Sequence, residues 1–252
     1  GEFSVAGSNT PQLIGNVVSG SLTVSGSSRL SLGGSLRIGN GAEGHGEVVL
    51  DTSEPMHSTR QWDVQHGRLT IGKASARVFT STGAPGQGSY RVGMAKTPAV
   101  LDKLGDADLG ADPHAQGKIF MEIGPLGIVN WHGGGLLTNQ QNDTAVITNA
   151  GIFNYFDDAG SNIFHFAGPA LINAECGRFH WHGAASLDLR NSRTEGSSSL
   201  RNAGLLTTGH DGQVTLLGDL VLEKSGTLRV GLGAQSKTGI LAGGKEGGAV
   251  TL

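Results

Sequence analysis

Apolar and polar residues alternate with a period of two along most of this 252-residue chain. Ser21-Leu-Thr-Val24, Arg29-Leu-Ser-Leu32 and Ser35-Leu-Arg-Ile38 place Leu, Val and Ile two apart. Each segment therefore has one apolar face, with Ser, Thr and Arg on the other. Segments of the same kind cover Glu47–Leu50, Arg68–Ile71, Ala76–Thr80 and Tyr90–Val92. Gly, Ser, Asn and Asp bound them, and helical periodicity is almost absent, which predicts an all-β protein.

The second half adds a repeat. A glycine, two mostly apolar residues, a polar residue and usually an aromatic recur as Gly127-Ile-Val-Asn-Trp131, Gly151-Ile-Phe-Asn-Tyr155 and Gly177-Arg-Phe-His-Trp181, with a degenerate copy at Gly204-Leu-Leu-Thr-Thr208. The glycines lie 24, 26 and 27 residues apart, a period that belongs to solenoids. Each period holds two further strand-like pieces. One series is Gly135–Thr138, Asn162–His165, Ser186–Leu189 and Gln213–Leu216; the other is Ala145–Thr148, Ala170–Ile172, Ser199–Arg201 and Leu220–Leu222. The second series runs into Asn-Ala turns at Asn149-Ala150, Asn173-Ala174 and Asn202-Ala203. Asparagine tolerates left-handed backbone and bonds its own turn, and stacked asparagines can form amide ladders. Three strands per turn of this length predict a right-handed parallel β-helix of roughly ten coils, a rod on the order of 50 Å long at the spacing of hydrogen-bonded strands.

Alternation also decides which way the repeated residues point. Counted from the glycine, the second and fourth following positions (Val129/Trp131, Phe153/Tyr155, Phe179/Trp181 and Leu206/Thr208) share the face that should line the interior. Trp131, Tyr155 and Trp181 are then core residues rather than sugar-binding platforms, and their stacking would hold the coils in register. The first, third and fifth positions face out. They carry Asn130, His132, Asn154, Phe156, His180 and His182, the candidate binding residues, beside Ile128, Ile152, Arg178 and Leu205. The plainer reading of this stripe is an ordinary solvated sheet.

Two stretches break the rhythm, near 51–61 and 95–117; they are expected to protrude from the rod as loops, and Pro98–Leu104 is compatible with a short helix. Residues 4–252 are expected to form one β-helix domain. Gly1-Glu2-Phe3 has the look of a protease-site and cloning remnant, which would make the chain an excised fragment.

Composition narrows the function. Glycine supplies 43 residues without a G-X-Y triplet, so collagen is excluded. Charged residues are 15%, apolar residues 37% and the net charge −3; this suits neither a disordered chain nor a nucleic-acid partner, which demands a basic face. The single cysteine, Cys176, excludes a disulfide scaffold. No stretch approaches 18 consecutive apolar residues, so no membrane-inserting helix is expected. His180 and His182 lie two apart on one face, about 7 Å, and His132 shares a column with His182 two coils away, about 9.6 Å. No Cys, Asp or Glu set completes a tetrahedral site around them, so no metal and no cofactor is expected. His165, in the middle strand, is also open to an outward position. The acids Asp106, Asp108, Asp157 and Asp158 fall in turns and loops, leaving Asp188 as the clearest acid on a strand. A Gly-x-Ser-x-Gly elbow, a Gly-Asp-Ser-Gly motif and a phosphate-cradling loop are all absent, so no catalytic residue is assigned.

The run Gly218-Asp-Leu-Val-Leu-Glu-Lys-Ser-Gly-Thr-Leu-Arg-Val-Gly-Leu-Gly233 resembles the passenger-associated repeat of bacterial autotransporters: a strand, a Gly-Thr-Leu turn, a second strand ending in Leu-Gly, and a third that Ile240–Leu252 would supply. The earlier Ile147–Asn154 and Ser199–Leu206 units are similar to passenger and filamentous-adhesin solenoids. The resemblance implies a surface-displayed or secreted passenger of a Gram-negative bacterium, with the membrane-embedded β-barrel cut away. Members of that family act in adhesion, complement or host-protein binding, self-association or proteolysis; the motif of the proteolytic branch is lacking here, and no catalytic residue carries over. The expected function is therefore a non-enzymatic β-helical passenger, an adhesin or virulence factor, whose partner is a host protein or glycan or a second copy of itself. A carbohydrate-binding or polysaccharide-cleaving β-helix, such as a phage tailspike or lyase fragment, and an inert stalk are the alternatives.

Overall fold

A computed structural model of the chain describes residues 2–5, 12–14, 20–27, 29–32, 36–39, 45–52, 56–58, 61–71, 77–80, 88–94, 98–104, 108–110, 119–132, 146–156, 163–165, 170–182, 186–188, 199–208, 214–230, 240–242 and 250–251. Strands pair in parallel with their counterparts one coil away and stack into long sheets. The protein is an all-β, parallel β-helix, as the alternation and the repeat require.

One face is a ten-stranded sheet that begins with Gln12–Ile14, Leu36–Ile38 and Gln61–Val64 and ends with Asp219–Leu222 and Val250–Thr251. A second face is a nine-stranded sheet of Gly20–Gly26, Gly46–Thr52, Gly67–Ile71, Ala99–Lys103, Gly127–His132, Ile152–Phe156, Arg178–His182, Leu205–Thr208 and Thr227–Val230. The third face holds a five-stranded sheet, ending with Asp108–Gly110, and a four-stranded sheet, starting at Ile163–His165. The strand expected between those two sheets, Gly135–Thr138, lies outside the described residues.

The core is the stack of inward positions. Val129, Phe153, Phe179 and Leu206 form one buried column, and Trp131, Tyr155, Trp181 and Thr208 the next. Phe153 and Phe179 stack at 5.0 Å with planes 4° apart, and Trp131 stacks on Phe153 at 6.3 Å. Each aromatic removes a large apolar area from water, and the offset rings add a packing term. Because parallel strands are in register, inward positions land on inward positions, so the buried stacks grow coil by coil.

The Asn-Ala turns do two jobs. Asn149, Asn173 and Asn202 are in register and wholly buried. Asn149 Nδ2 donates to Asn173 Oδ1 (2.8 Å), and Asn173 Nδ2 to Asn202 Oδ1 (2.6 Å). The same amides donate to carbonyls of the adjoining corner: Asn173 Nδ2 to Gly177 and Leu205, and Asn202 Nδ2 to Thr227. Backbone bonds continue the ladder across the corner, from Ala174 N to Asn149 O and from Ala203 N to Asn173 O, both 2.8 Å. The repeat glycine follows the turn, directly at Gly151 and Gly204 and after Glu175-Cys176 at Gly177. A Cβ on Gly177 would lie 2.2 Å from Asn149 O and 2.4 Å from Asn173 Oδ1, and one on Gly204 would lie 2.3 Å from Ala174 O. The glycine that marks the repeat is thus required by the close approach of the preceding coil.

The interruptions read differently in three dimensions. Pro98–Leu104 forms no helix; Ala99–Lys103 is a strand of the nine-stranded sheet, paired with Gly67–Ile71 and Gly127–Trp131, and Ala99 and Leu101 are fully buried. A five-residue segment has little helical stability of its own, and two neighbouring strands supply both of its ladders. Met56–Ser58 within 51–61 and Asp108–Gly110 within 95–117 are also strands, stacked on the third face. The rest of the two stretches lies partly outside the described residues. Strand Glu2–Val5, which takes in Glu2 and Phe3 of the expected remnant, pairs with Arg29–Leu32.

Candidate functional site

The outward side of the nine-stranded sheet carries the candidate residues, and register arranges them. Asp102, Asn130, Asn154, His180, Thr207 and Arg229 fall in one column. His132, Phe156 and His182 fall in the next. All six sequence-predicted residues are therefore brought together on two adjacent columns, half-buried except for the exposed His182.

The ring column is a continuous stack. His132 and Phe156 have centroids 4.4 Å apart and planes 9° apart; Phe156 and His182 are 4.5 Å and 9° apart. These separations are close to the spacing of hydrogen-bonded strands, so the rings stand across the rod axis and present their edges outward. Both faces of Phe156 are covered by imidazoles. It cannot offer a face to a sugar, but the column displays ring edges in a fixed line.

The neighbouring column is a polar ladder. Arg68 donates to Asp102 Oδ2 at 2.7 Å, Asn130 Nδ2 to Asp102 Oδ1 at 2.7 Å, and Asn154 Nδ2 to Asn130 Oδ1 at 2.8 Å. Asp102 is only 8% exposed, yet both of its oxygens are satisfied. Further on, His180 Nδ1 lies 2.6 Å from Thr207 Oγ1. Burial lowers the pKa of His180 below its ordinary 6.5, and the neighbouring His182 and Arg178 lower it further.

That depression has a sign and a window. The unfolded chain takes up a proton at His180 near pH 6.5 while the folded chain resists it, so stability falls as pH drops below 6.5. Above that pH the group is neutral in both states and contributes no slope. Urea unfolding between about pH 8 and 5 should therefore show wild type losing stability relative to His180→Gln only on the acid side of the histidine range. A gap between the two proteins that stays constant with pH contradicts the depression.

Asp102 was not expected on this face because 95–117 was expected to be a loop, and Arg68, although in the expected strand Arg68–Ile71, had no partner in view without it. Ala99-Val-Leu-Asp-Lys103 runs three apolar residues into two charged ones, so its own pattern is not that of an alternating strand. A second outward column, on the ten-stranded sheet, was also missed. Arg37, Asp63, Arg91 and Glu122 follow one another in register. Arg37 Nε lies 3.6 Å from Asp63 Oδ2, Gln65 Nε2 donates to the same oxygen at 2.8 Å, and Arg91 pairs with Glu122 at 3.1 Å. Alternating signs on successive coils turn like-on-like stacking from repulsion into attraction.

Where the nine-stranded sheet meets its corner, His45, Glu47, His66, Gly67, Arg68, Pro98 and Val100 line an open groove of about 410 Å³. The His45 and His66 rings meet edge to face at 5.4 Å, and His45 Nε2 lies 3.6 Å from Glu47 Oε1. Glu47 is the one carboxylate in this lining, whereas glycoside cleavage works with a pair across the cleft. No group of three or more His, Cys, Asp or Glu is placed to hold a metal among the described residues. His165 pairs in register with Asp188 on the four-stranded sheet, while Asp106, Asp157 and Asp158 lie outside the described residues. Cys176 is exposed in the Glu175-Cys176 extension of its corner.

Fold and face together define a β-solenoid protein whose outward side chains are ordered by register. No family model matches the chain, and neither a curated protein nor a solved structure does.

Proposed function

We propose that the protein is a non-enzymatic β-helical passenger, displayed on or secreted from a Gram-negative bacterial cell, that engages a host component or a second copy of itself through the outward face of the nine-stranded sheet. The observation that carries this reading is the double column of Asn130/Asn154/His180 and His132/Phe156/His182. Its side chains are held by stacking and by amide bonds before any partner arrives, so less conformational entropy is lost on binding. A straight, preorganised line of donors and ring edges suits an extended partner better than a small substrate. The resemblance of Gly218–Gly233 to the passenger-associated repeat supports the cellular setting.

The test is adherence of the labelled, purified chain to cultured epithelial cells and to immobilised copies of itself. Phe156→Arg breaks the ring column on the surface and should lower adherence about tenfold, the effect of losing one central contact. Thr148→Arg, half-buried and outward on the ten-stranded sheet, should leave adherence unchanged. Equal adherence by both variants and wild type would remove this face from the function.

A further inference from the structure

The nine-stranded sheet is electrically divided. Its early coils carry Glu47, Asp51 and Asp102 at outward positions, with Arg68 tied to Asp102. Its last three strands carry Arg178, His180, His182, Leu205, Thr207, Thr227 and Arg229 outward. Among the described residues those seven include two guanidiniums, two imidazoles, two hydroxyls and no carboxylate. Arg178, His182, Thr227 and Arg229 are exposed. In a chain of net charge −3, this is a local concentration of positive charge.

We infer that this end of the face binds a linear acidic polysaccharide, sulfated or carboxylated, laid along the rod axis. The inference rests on the reading of the sheet as a recognition surface and names its partner chemistry. Three features favour a glycan over other polyanions. Phe156, the aromatic of the ring column, has both faces covered by His132 and His182 at 4.4 and 4.5 Å, whereas single-stranded nucleic acids are gripped by stacking bases on open aromatic faces. Of the described outward residues on the last three strands only Leu205 is apolar, and it is half-buried, so this end of the face has no apolar cluster of the kind that enters a lipid interface. What the face does offer is charge with hydroxyl and N–H groups in rows one coil apart, which fits a chain of charged, hydroxylated sugars.

Binding should also take up protons. On its own strand His180 is flanked by Arg178 and His182, whose ring lies 6.2 Å away. Strand Ile152–Phe156 faces it with no titratable group, and strand Leu205–Thr208 faces it with Thr207. Arg229 lies one strand beyond, and the preceding corner contributes Glu175 and Cys176. The balance around the imidazole is cationic. An anionic group seated there offsets the repulsion that opposes protonation, so the complex strengthens as the solution becomes acidic.

The experiment measures binding of the full chain to dextran sulfate, neutral dextran, a single-stranded oligonucleotide and anionic phospholipid vesicles. Dextran sulfate should bind about tenfold more tightly at pH near 5.5 than near 7.5, and more weakly in high salt. Neutral dextran should not bind. Arg178→Gln and Arg229→Gln should each weaken dextran sulfate at both pH values, and the double variant His180→Gln/His182→Gln should abolish the pH dependence while circular dichroism shows the fold intact. The inference is overturned by pH-independent binding, by insensitivity to all of these substitutions, or by equal affinity for oligonucleotide or vesicles. Its failure is separable from failure of the wider reading. If dextran sulfate does not bind but Phe156→Arg still lowers adherence, the face recognises something else. If dextran sulfate binds as described while Phe156→Arg adheres normally, the polysaccharide site stands and the wider reading falls.

Discussion

Asn173→Asp should destabilise the protein by several kcal/mol at neutral pH, the scale for burying an unpaired charge, and the loss should shrink as the solution is acidified. Asn173 is wholly buried at the centre of the amide ladder. Its Oδ1 accepts from Asn149, and a carboxylate oxygen keeps that bond. Its Nδ2 donates towards Asn202 Oδ1, Gly177 O and Leu205 O. A carboxylate would set a second oxygen against those three acceptors. The new carboxyl is therefore held above the ordinary carboxylate pKa of about 3.9 in the folded state. With a raised folded pKa, the penalty is full at neutral pH, eases as pH falls through the folded value, and is gone below the unfolded one. Urea midpoints near pH 7 and near pH 4.5 would show the relief. Asn173→Leu is the comparison: it removes both the donor to Asn202 Oδ1 and the acceptor for Asn149 Nδ2, at about 1–3 kcal/mol for a buried group left unpaired, without that pH dependence. Were the two variants to respond alike to acid, the amide orientation described above would be wrong.

Phe153→Ala should cost about 3–5 kcal/mol, the range for removing a buried aromatic from a close-packed core. Phe153 is fully buried between Trp131 and Phe179. The cavity opens between coils, so it weakens the interfaces on both sides of one coil. In a solenoid, stability is a sum of coil terms and nearest-neighbour interfaces. A defect in the middle should broaden denaturant unfolding or split it into two steps, besides lowering its midpoint. Phe153→Leu, which keeps most of the apolar volume, should lose less and unfold in one step. If Phe153→Ala unfolds with unchanged midpoint and sharpness, the aromatic column does not hold the coils together.

Much of this architecture is legible along the chain. Period-two alternation marks strands such as Arg29–Leu32 and Gly67–Ile71, and the spacing of Gly127, Gly151, Gly177 and Gly204 marks the coil. Inward and outward positions follow from counting, which is why Trp131 and Trp181 could be assigned to the core and Asn130, His132, Asn154, Phe156, His180 and His182 to one face. Ala99–Lys103 escaped because its neighbours Lys96, Pro98 and Gly105 read as loop residues. A short segment's state is decided by the strands that sandwich it, which lie about one coil away in sequence and out of local view. Ile119–Ile123, whose Met121 and Ile123 are buried, escaped for the same reason.

By itself the sequence determined the period, the alternation and therefore which side chains share a face, because a strand has only two sides. The tertiary structure alone decided what those side chains do to one another. Parallel register converts the asparagines into a buried ladder, stacks His132, Phe156 and His182 ring on ring, ties Asp102 to Arg68 and Asn130, and crowds the repeat glycines against the coil before. Each of these depends on distances of a few ångströms between residues more than twenty positions apart. A linear pattern fixes their order but not their contact.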